Sequence, residues 1–180
     1  GRFFPAKGGA MRKQCYAVFG AGRQGRAVAY DLAVFGNASD VIMLDRSREA
    51  GDQATREIND LLHARTLPGV VRPWTLDATR SDNVRNFLAV AKLDGFVSAM
   101  HYDLNVALTH AAIDTGCHMV DLGGNTAVVL EQHKLHRQAI STGVSVIPDC
   151  GMAPGLAGNL VAYALGFFAQ PKTAKVYCGG

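Results

Sequence analysis

Short apolar runs alternate with longer stretches of helical period along this chain, and the alternation predicts an α/β fold. The runs Cys15 to Phe19, Val41 to Leu44, Val70 to Leu76, Gly95 to Ala99, Cys117 to Asp121 and Val144 to Pro148 have the length of strands buried on both faces. Pro73 weakens the third of them. Between the runs, apolar residues recur every three or four positions. A helix is expected from about Gln24 to Phe35, with Ala27, Val28, Leu32 and Phe35 on one face and Gly36-Asn37 as its stop. Ser47 caps a second helix reaching about Arg65, Ser81 or Asp82 caps a third through Val90, and a fourth spans Leu104 to Thr115 ahead of Gly116. One amphipathic helix is expected from Thr126 to Thr142, and Pro154 is expected to open a last, apolar one. Strand and helix in strict alternation feed a doubly wound parallel sheet.

The first strand runs directly into Gly20-Ala21-Gly22-Arg23-Gln24-Gly25, which fits G-x-G-x-x-G. Alone the pattern is weak, because glycine-rich loops are common. Its surroundings sharpen it: a strand precedes it, a helix follows it, and an acid, Asp45, ends the next strand about 20 residues past the last glycine. Gly20 permits the tight turn, Gly22 lets backbone approach a pyrophosphate, and Gly25 lets helix and strand pack closely. The unpaired N–H groups and positive dipole end at Arg23 and Gln24 then favour the phosphates. This is the Rossmann arrangement, and the expected ligand is NAD. Asp45 would accept from the ribose hydroxyls and repel a 2′-phosphate by about 4 kcal/mol at about 4 Å before screening. Arg46 and Arg48 follow directly, and either can pair with that phosphate, so NADP stays open. Asp77 reads two ways, as acceptor for the adenine amino group or as a helix-approach residue.

Composition narrows the partners. With 180 residues, 48% of them hydrophobic, the chain builds one sizeable core and has no room for a second full domain. Its 18 Lys+Arg and 15 Asp+Glu leave a net +3 scattered along the chain, which speaks against a nucleic-acid surface. Cys15, Cys117, Cys150 and Cys178 form no C-x-x-C pair, so reduced thiols and a cytoplasmic location are expected. Gly151 to Ala169 carries no charge, yet Pro154, Asn159 and four glycines make it a helix lying over a sheet rather than a membrane span. His133 and His136 have i, i+3 spacing, but among Glu131, Gln132, Lys134 and Arg137 they read as a solvated face, and no metal is expected.

Ligands of such sheets bind beyond the carboxyl ends of the strands, where strand order reverses. The residues there are Ala99-Met100-His101-Tyr102-Asp103, Asp121-Leu122-Gly123-Gly124-Asn125 and Asp149-Cys150-Gly151-Met152-Ala153-Pro154-Gly155. Ala99 and Met100 are expected beside the coenzyme. Oxidising an amine or alcohol needs a base near the reacting carbon, and His101, Tyr102 and Asp121 are candidates. Each also has a plainer reading: His101 caps a helix, Tyr102 packs on the nicotinamide, Asp121 holds the Gly123-Gly124 turn. A helix opening at Pro154 would offer its N-terminus to a substrate carboxylate or the nicotinamide amide, or the turn is there for geometry alone.

Four motifs in order, Ser98 to Tyr102, Val120 to Gly124, Ile147 to Gly155 and Tyr177 to Gly180, resemble the saccharopine dehydrogenase family over Lys13 to Gly180. The V-D-L-G-G and P-D-x-G-x-A-P-G forms resemble its lysine 6-dehydrogenase branch more than the saccharopine reductases. The resemblance implies an NAD(P)-dependent oxidoreductase acting on the C–N bond of an amino acid or amine, turning a lysine side-chain amine into an imine and then ammonia and the semialdehyde. It places Tyr102, Asp121 and Cys150 on the substrate side as the catalytic candidates, and it implies a split Rossmann domain with an inserted domain for substrate and dimerisation, hence a homo-oligomer. The organisation expected is a leader or appended segment at 1–11, a coenzyme domain at 12–170, and at 171–180, with strand character from Thr173 to Cys178, the first strand of a truncated substrate domain. A saccharopine or carboxynorspermidine-type reductase and a non-catalytic NAD-binding module are the alternatives.

Overall fold

The computed structural model describes residues 12–177. Six strands, β1 (Gln14–Phe19), β2 (Ala38–Asp45), β3 (Val71–Thr75), β4 (Gly95–Ser98), β5 (His118–Asp121) and β6 (Val146–Ile147), form one sheet in the order β3-β2-β1-β4-β5-β6. Every pairing is parallel. The helices are α1 (Arg23–Phe35), α2 (Arg48–Ala64), α3 (Ser81–Ala91), α4 (Asn105–Thr115), α5 (Thr126–His133), α6 (His136–Thr142) and α7 (Ala157–Leu165).

Alternate residues of the central strands feed two separate cores, as strands buried on both faces require. Val18, Val41 and Met43 pack with Ala29 of α1 and Ala54, Ile58 and Leu62 of α2. Ala17, Phe19, Ile42 and Leu44 pack the other way, with Val84 and Phe87 of α3 and Leu108 and Ala112 of α4. Phe19 anchors that layer, its ring 5.1 Å from Phe96 and edge-on to Phe87 at 6.3 Å. Pro73 is tolerated because β3 is an edge strand, paired only with β2.

Three elements differ from the sequence expectation. The helix expected from Thr126 to Thr142 is two, because the amides of Lys134 and Leu135 bond back three residues to Glu131 and Gln132, and that tightening turns Leu135 into the core. The apolar helix begins at Ala157, not Pro154: Ala153, Pro154 and Gly155 are non-helical, with Gly155 at φ 116°. Nor does α7 cover the sheet, for it contains no buried residue, and Leu160 and Tyr163 stand exposed. Residues 173–177, expected as a strand, carry no strand structure, since among the described residues no strand pairs with them; Cys178, Gly179 and Gly180 lie outside the described residues, as do residues 1–11. No described helix is long and apolar enough to cross a membrane.

Candidate functional site

Strand order reverses between β1 and β4, which run in opposite directions of sequence away from the centre, and the crevice there is bordered by the glycine loop. Its three glycines do three different things. Gly20 has φ 102°, and a Cβ there would stand 2.9 Å from the Ala99 carbonyl oxygen and 3.1 Å from the Met100 sulfur. At Gly25 a Cβ would overlap the Gly20 carbonyl oxygen, so α1 touches the β1 turn backbone to backbone. At Gly22 nothing lies within 4 Å of where a Cβ would be. Gly22 begins α1 with no side-chain cap, so the first amides of the helix face open space beside Arg23 and Gln24, both exposed. That open cradle of uncapped amides fits a pyrophosphate, and the residues present therefore suit a nicotinamide dinucleotide.

Polar groups brace the loop from behind. Ala21 N–H donates to Asp45 Oδ2 at 2.9 Å, and Ser47 N–H donates to Asp45 Oδ1 at 2.9 Å. Asp45 thus sets the distance between the loop and the end of β2, with its remaining lone pairs left for a ribose. Arg26 Nε donates to the Ala21 carbonyl at 3.0 Å and its guanidinium pairs with Glu57 of α2. Next to this brace, Phe19, Leu44, Asp45, Arg46, Asp77 and Met100 border a cavity of about 260 Å³, apolar at its base and charged at its rim. Asp77 is turned toward its own chain: its Oδ1 accepts from Thr79 Oγ1 at 2.7 Å and Thr79 N at 3.0 Å. Those two bonds, with help from Arg80 and Arg46, hold its carboxyl below the usual range. The helix-approach reading of Asp77 is the one its bonds satisfy, although it still borders the cavity.

The second half of the site lies at the carboxyl ends of β4, β5 and β6. The turn Tyr102–Leu104 follows β4, with the His101 and Tyr102 rings 4.1 Å apart and His101 Nδ1 3.1 Å from Asp103 Oδ2. Tyr102 is half-buried, and Gly124, at φ 123°, leaves room for it: a Cβ there would stand 2.9 Å from the ring. Asp121 is wholly buried. Its Oδ1 accepts from Gly123 N at 2.8 Å and Asp149 N at 2.9 Å, and its Oδ2 from Gln132 Nε2 at 2.7 Å. Of the two roles open to it from sequence, this geometry matches the holding of the Gly123-Gly124 turn. Cys150 Sγ lies 3.7 Å from the Ile147 carbonyl, and burial, then Asp121, then Asp149 push its thiol above the ordinary value. It stays a neutral thiol at neutral pH, unsuited to act as a nucleophile.

The β5 and β6 loops interlock. Asp149, at φ 63°, puts its carboxylate where a Cβ on Gly123 would be, and Gly151 packs on the Leu122 carbonyl. Between them Leu122, Asn125, Thr126, Asp149, Met152 and Pro154 line a cavity of about 360 Å³. Asp149 stands in it with no ion-pair partner among the described residues. Gln132, read from sequence as part of a solvated face, is 4% exposed. The signal was in the spacing: Val128, Gln132, Leu135 and Ala139 fall on one helical stripe, and the other three are apolar. His133 and His136 do lie exposed, and no group of three or more metal-ligating side chains gathers among the described residues.

Solved structures with the same fold include apo saccharopine dehydrogenase (L-Glu forming) from Saccharomyces cerevisiae, with a TM-score of 0.66 at 16% identity over 86% of this chain. Scyllo-inositol dehydrogenase from Lactobacillus casei with bound NAD(H) and scyllo-inositol matches at 0.59 and 13% over 87%, and the WlbA dehydrogenase from Bordetella pertussis with NADH and UDP-GlcNAcA at 0.58 and 18% over 87%. The chain spans 31%, 41% and 42% of these proteins, in that order. At such identities the likeness carries the fold alone. A family model described as the saccharopine dehydrogenase NADP binding domain matches residues 16–147, the stretch from the first strand to the sixth. By that match, over a glycine cradle shaped for a dinucleotide, the chain belongs to the saccharopine dehydrogenase NADP-binding domain family.

Proposed function

We propose that this domain serves an oxidoreductase acting on the C–N bond of an amino acid or amine, of the lysine 6-dehydrogenase type. The observation that carries the reading is the cavity between the β5 and β6 loops. Its polar lining is Asn125, Thr126 and Asp149, and no lysine or arginine borders it. Such a lining suits an ammonium group and offers a carboxylate no cation.

In this reading Gly20, Gly22, Arg23, Gln24 and Gly25 receive the pyrophosphate, Asp45 the ribose, and Arg46 a 2′-phosphate where one is present. The bound nicotinamide supplies the two-electron acceptor. Asp149 orients the substrate amine, while Asp121 keeps Asp149 and Gly123 in place through their amides. Tyr102, half-buried over Gly124, and the exposed His101 beside it are the remaining candidates to carry the proton. Met152 and Pro154 give the cavity one apolar wall.

The test is reduced-coenzyme production with L-lysine and a panel of other amines, using NAD and NADP in turn. Turnover with a primary amine is expected. Turnover only in reverse, joining an amine to an aldehyde with NADPH, would replace this reading with a reductase. A second reading, coenzyme binding without turnover, is favoured by the engagement of Asp121 in three hydrogen bonds, which removes one of the three candidate bases, and by the neutral Cys150 thiol. Tight NADH binding with no product from any amine would establish it.

A further inference from the structure

Five of the six buried polar side chains among the described residues belong to one hydrogen-bonded chain. Ser98, at the end of β4, donates to Asn105 Oδ1 at 2.8 Å. Thr109 Oγ1 donates to the Asn105 carbonyl at 2.8 Å. Gln132 Nε2 then donates twice, to Thr109 Oγ1 at 2.9 Å and to Asp121 Oδ2 at 2.7 Å, and Asp121 Oδ1 receives the amides of Gly123 and Asp149. The Gln132 amide is lopsided: its nitrogen makes two bonds, while its oxygen is buried with no partner among the described residues. Turning the amide over would set that oxygen against the Asp121 carboxylate, so Asp121 fixes its orientation. A buried amide that leaves its acceptor unsatisfied in order to donate to a buried carboxylate accepts a cost a merely structural side chain would avoid.

We propose that Gln132 is a positioning residue for the nicotinamide-side loops, acting through Asp121 to fix Gly123 and Asp149 while touching neither coenzyme nor substrate. The functional half of this inference rests on the coenzyme reading above; the structural half does not. The adenine side, braced by Asp45 and Arg26, shares no member of the chain. The groups around Asp121 and Gln132 are Ser98 from β4 and Thr109 from α4, which do not titrate, Asp149 and Cys150 from the β6 loop, and His133 and His136, which border the same cavity as Gln132.

Backbone amide exchange tests the clamp without any ligand. In Q132L the Gly123 and Asp149 amides are expected to exchange about tenfold faster, while the Ala21 amide, bonded to Asp45, keeps its protection. Titrations with NADH and with ADP-ribose test the consequence: NADH affinity falls about tenfold, and ADP-ribose affinity stays within about twofold. Q132E gives a second view if the apolar variant folds poorly. Its carboxyl faces Asp121, so the two share a proton in acid and repel once both ionise. NADH affinity should be near wild type at about pH 5.5 and lost by about pH 8, a profile that wild type and Q132L lack. Unchanged exchange at Gly123 and Asp149, equal losses for both ligands in Q132L, or a Q132E variant no better in acid would each overturn the proposal. Should wild type bind neither ligand, the coenzyme reading falls by itself, and the exchange result still decides for or against the clamp.

Discussion

The two ends of the sheet are held together by different means. From β3 to β1 the site is shaped by missing side chains: Gly20 and Gly25 let backbone meet backbone, and apolar residues fill both faces. From β4 to β6 close-packed glycines recur at Gly123, Gly124 and Gly151, but what ties the loops together is a set of polar side chains with Asp121 at their centre, and the last strand is thinly covered, with Ile147 53% exposed. The phosphate end therefore turns on Gly20 and Gly25, where an added atom meets backbone. The substrate end tolerates no lost hydrogen bond.

Substitutions that add or remove single groups test this contrast. The largest effect is expected for Gly25→Ala, where the methyl overlaps the Gly20 carbonyl oxygen and must push α1 off β1. A loss of about 4 kcal/mol or more, or no folded protein, should appear in urea melts. Asp121→Ala strips three donors of their acceptor and is expected to cost about 2–4 kcal/mol, with Gly123 and Asp149 losing exchange protection first. Gly22→Ala should leave stability within about 0.5 kcal/mol, since φ is −72° and the space is open, yet weaken NADH about tenfold or more in a fluorescence titration. A stable Gly25→Ala, or a Gly22→Ala that binds normally, would break the comparison.

A separate test concerns the thiols. Burial, with Asp94 adding, pushes Cys117 up to about 12, so in the native protein it should resist alkylation at about pH 8 while the unfolded chain reacts. Because the unfolded thiol ionises first, stability should decline as pH climbs from 9.0 toward 12, which a series of melts in alkaline buffers would record.

The phosphate end was legible in the sequence because its rules are backbone rules: glycine spacing, the strand before it and the acid after β2 follow from chain geometry alone. The succession of strands and helices followed from the alternation of periods. At the substrate end the motifs at Val120 to Gly124 and Pro148 to Gly155 could be seen, but not what Asp121 does, because its three donors come from residues 123, 132 and 149, which only the fold brings together. Gln132 was misplaced for a similar reason. A polar residue on an amphipathic helix reads as solvated unless its stripe is counted, and the break at Lys134–Leu135 obscured the count. The apolar stretch after Pro154 was expected over the sheet on hydropathy, which says how much a helix prefers burial but not what it meets.

The position of β1 has a consequence for how the chain is made. It pairs with β2 on one side and with β4 on the other, Tyr16 opposite Gly95, although β2 and β3 are synthesised long before β4. On a ribosome this central strand must wait with one edge bare while α1, β2, α2, β3 and α3 emerge. Closing that contact late, across so much intervening sequence, makes it the slow step expected of parallel topologies and the moment at which a nascent chain is most in need of a chaperone.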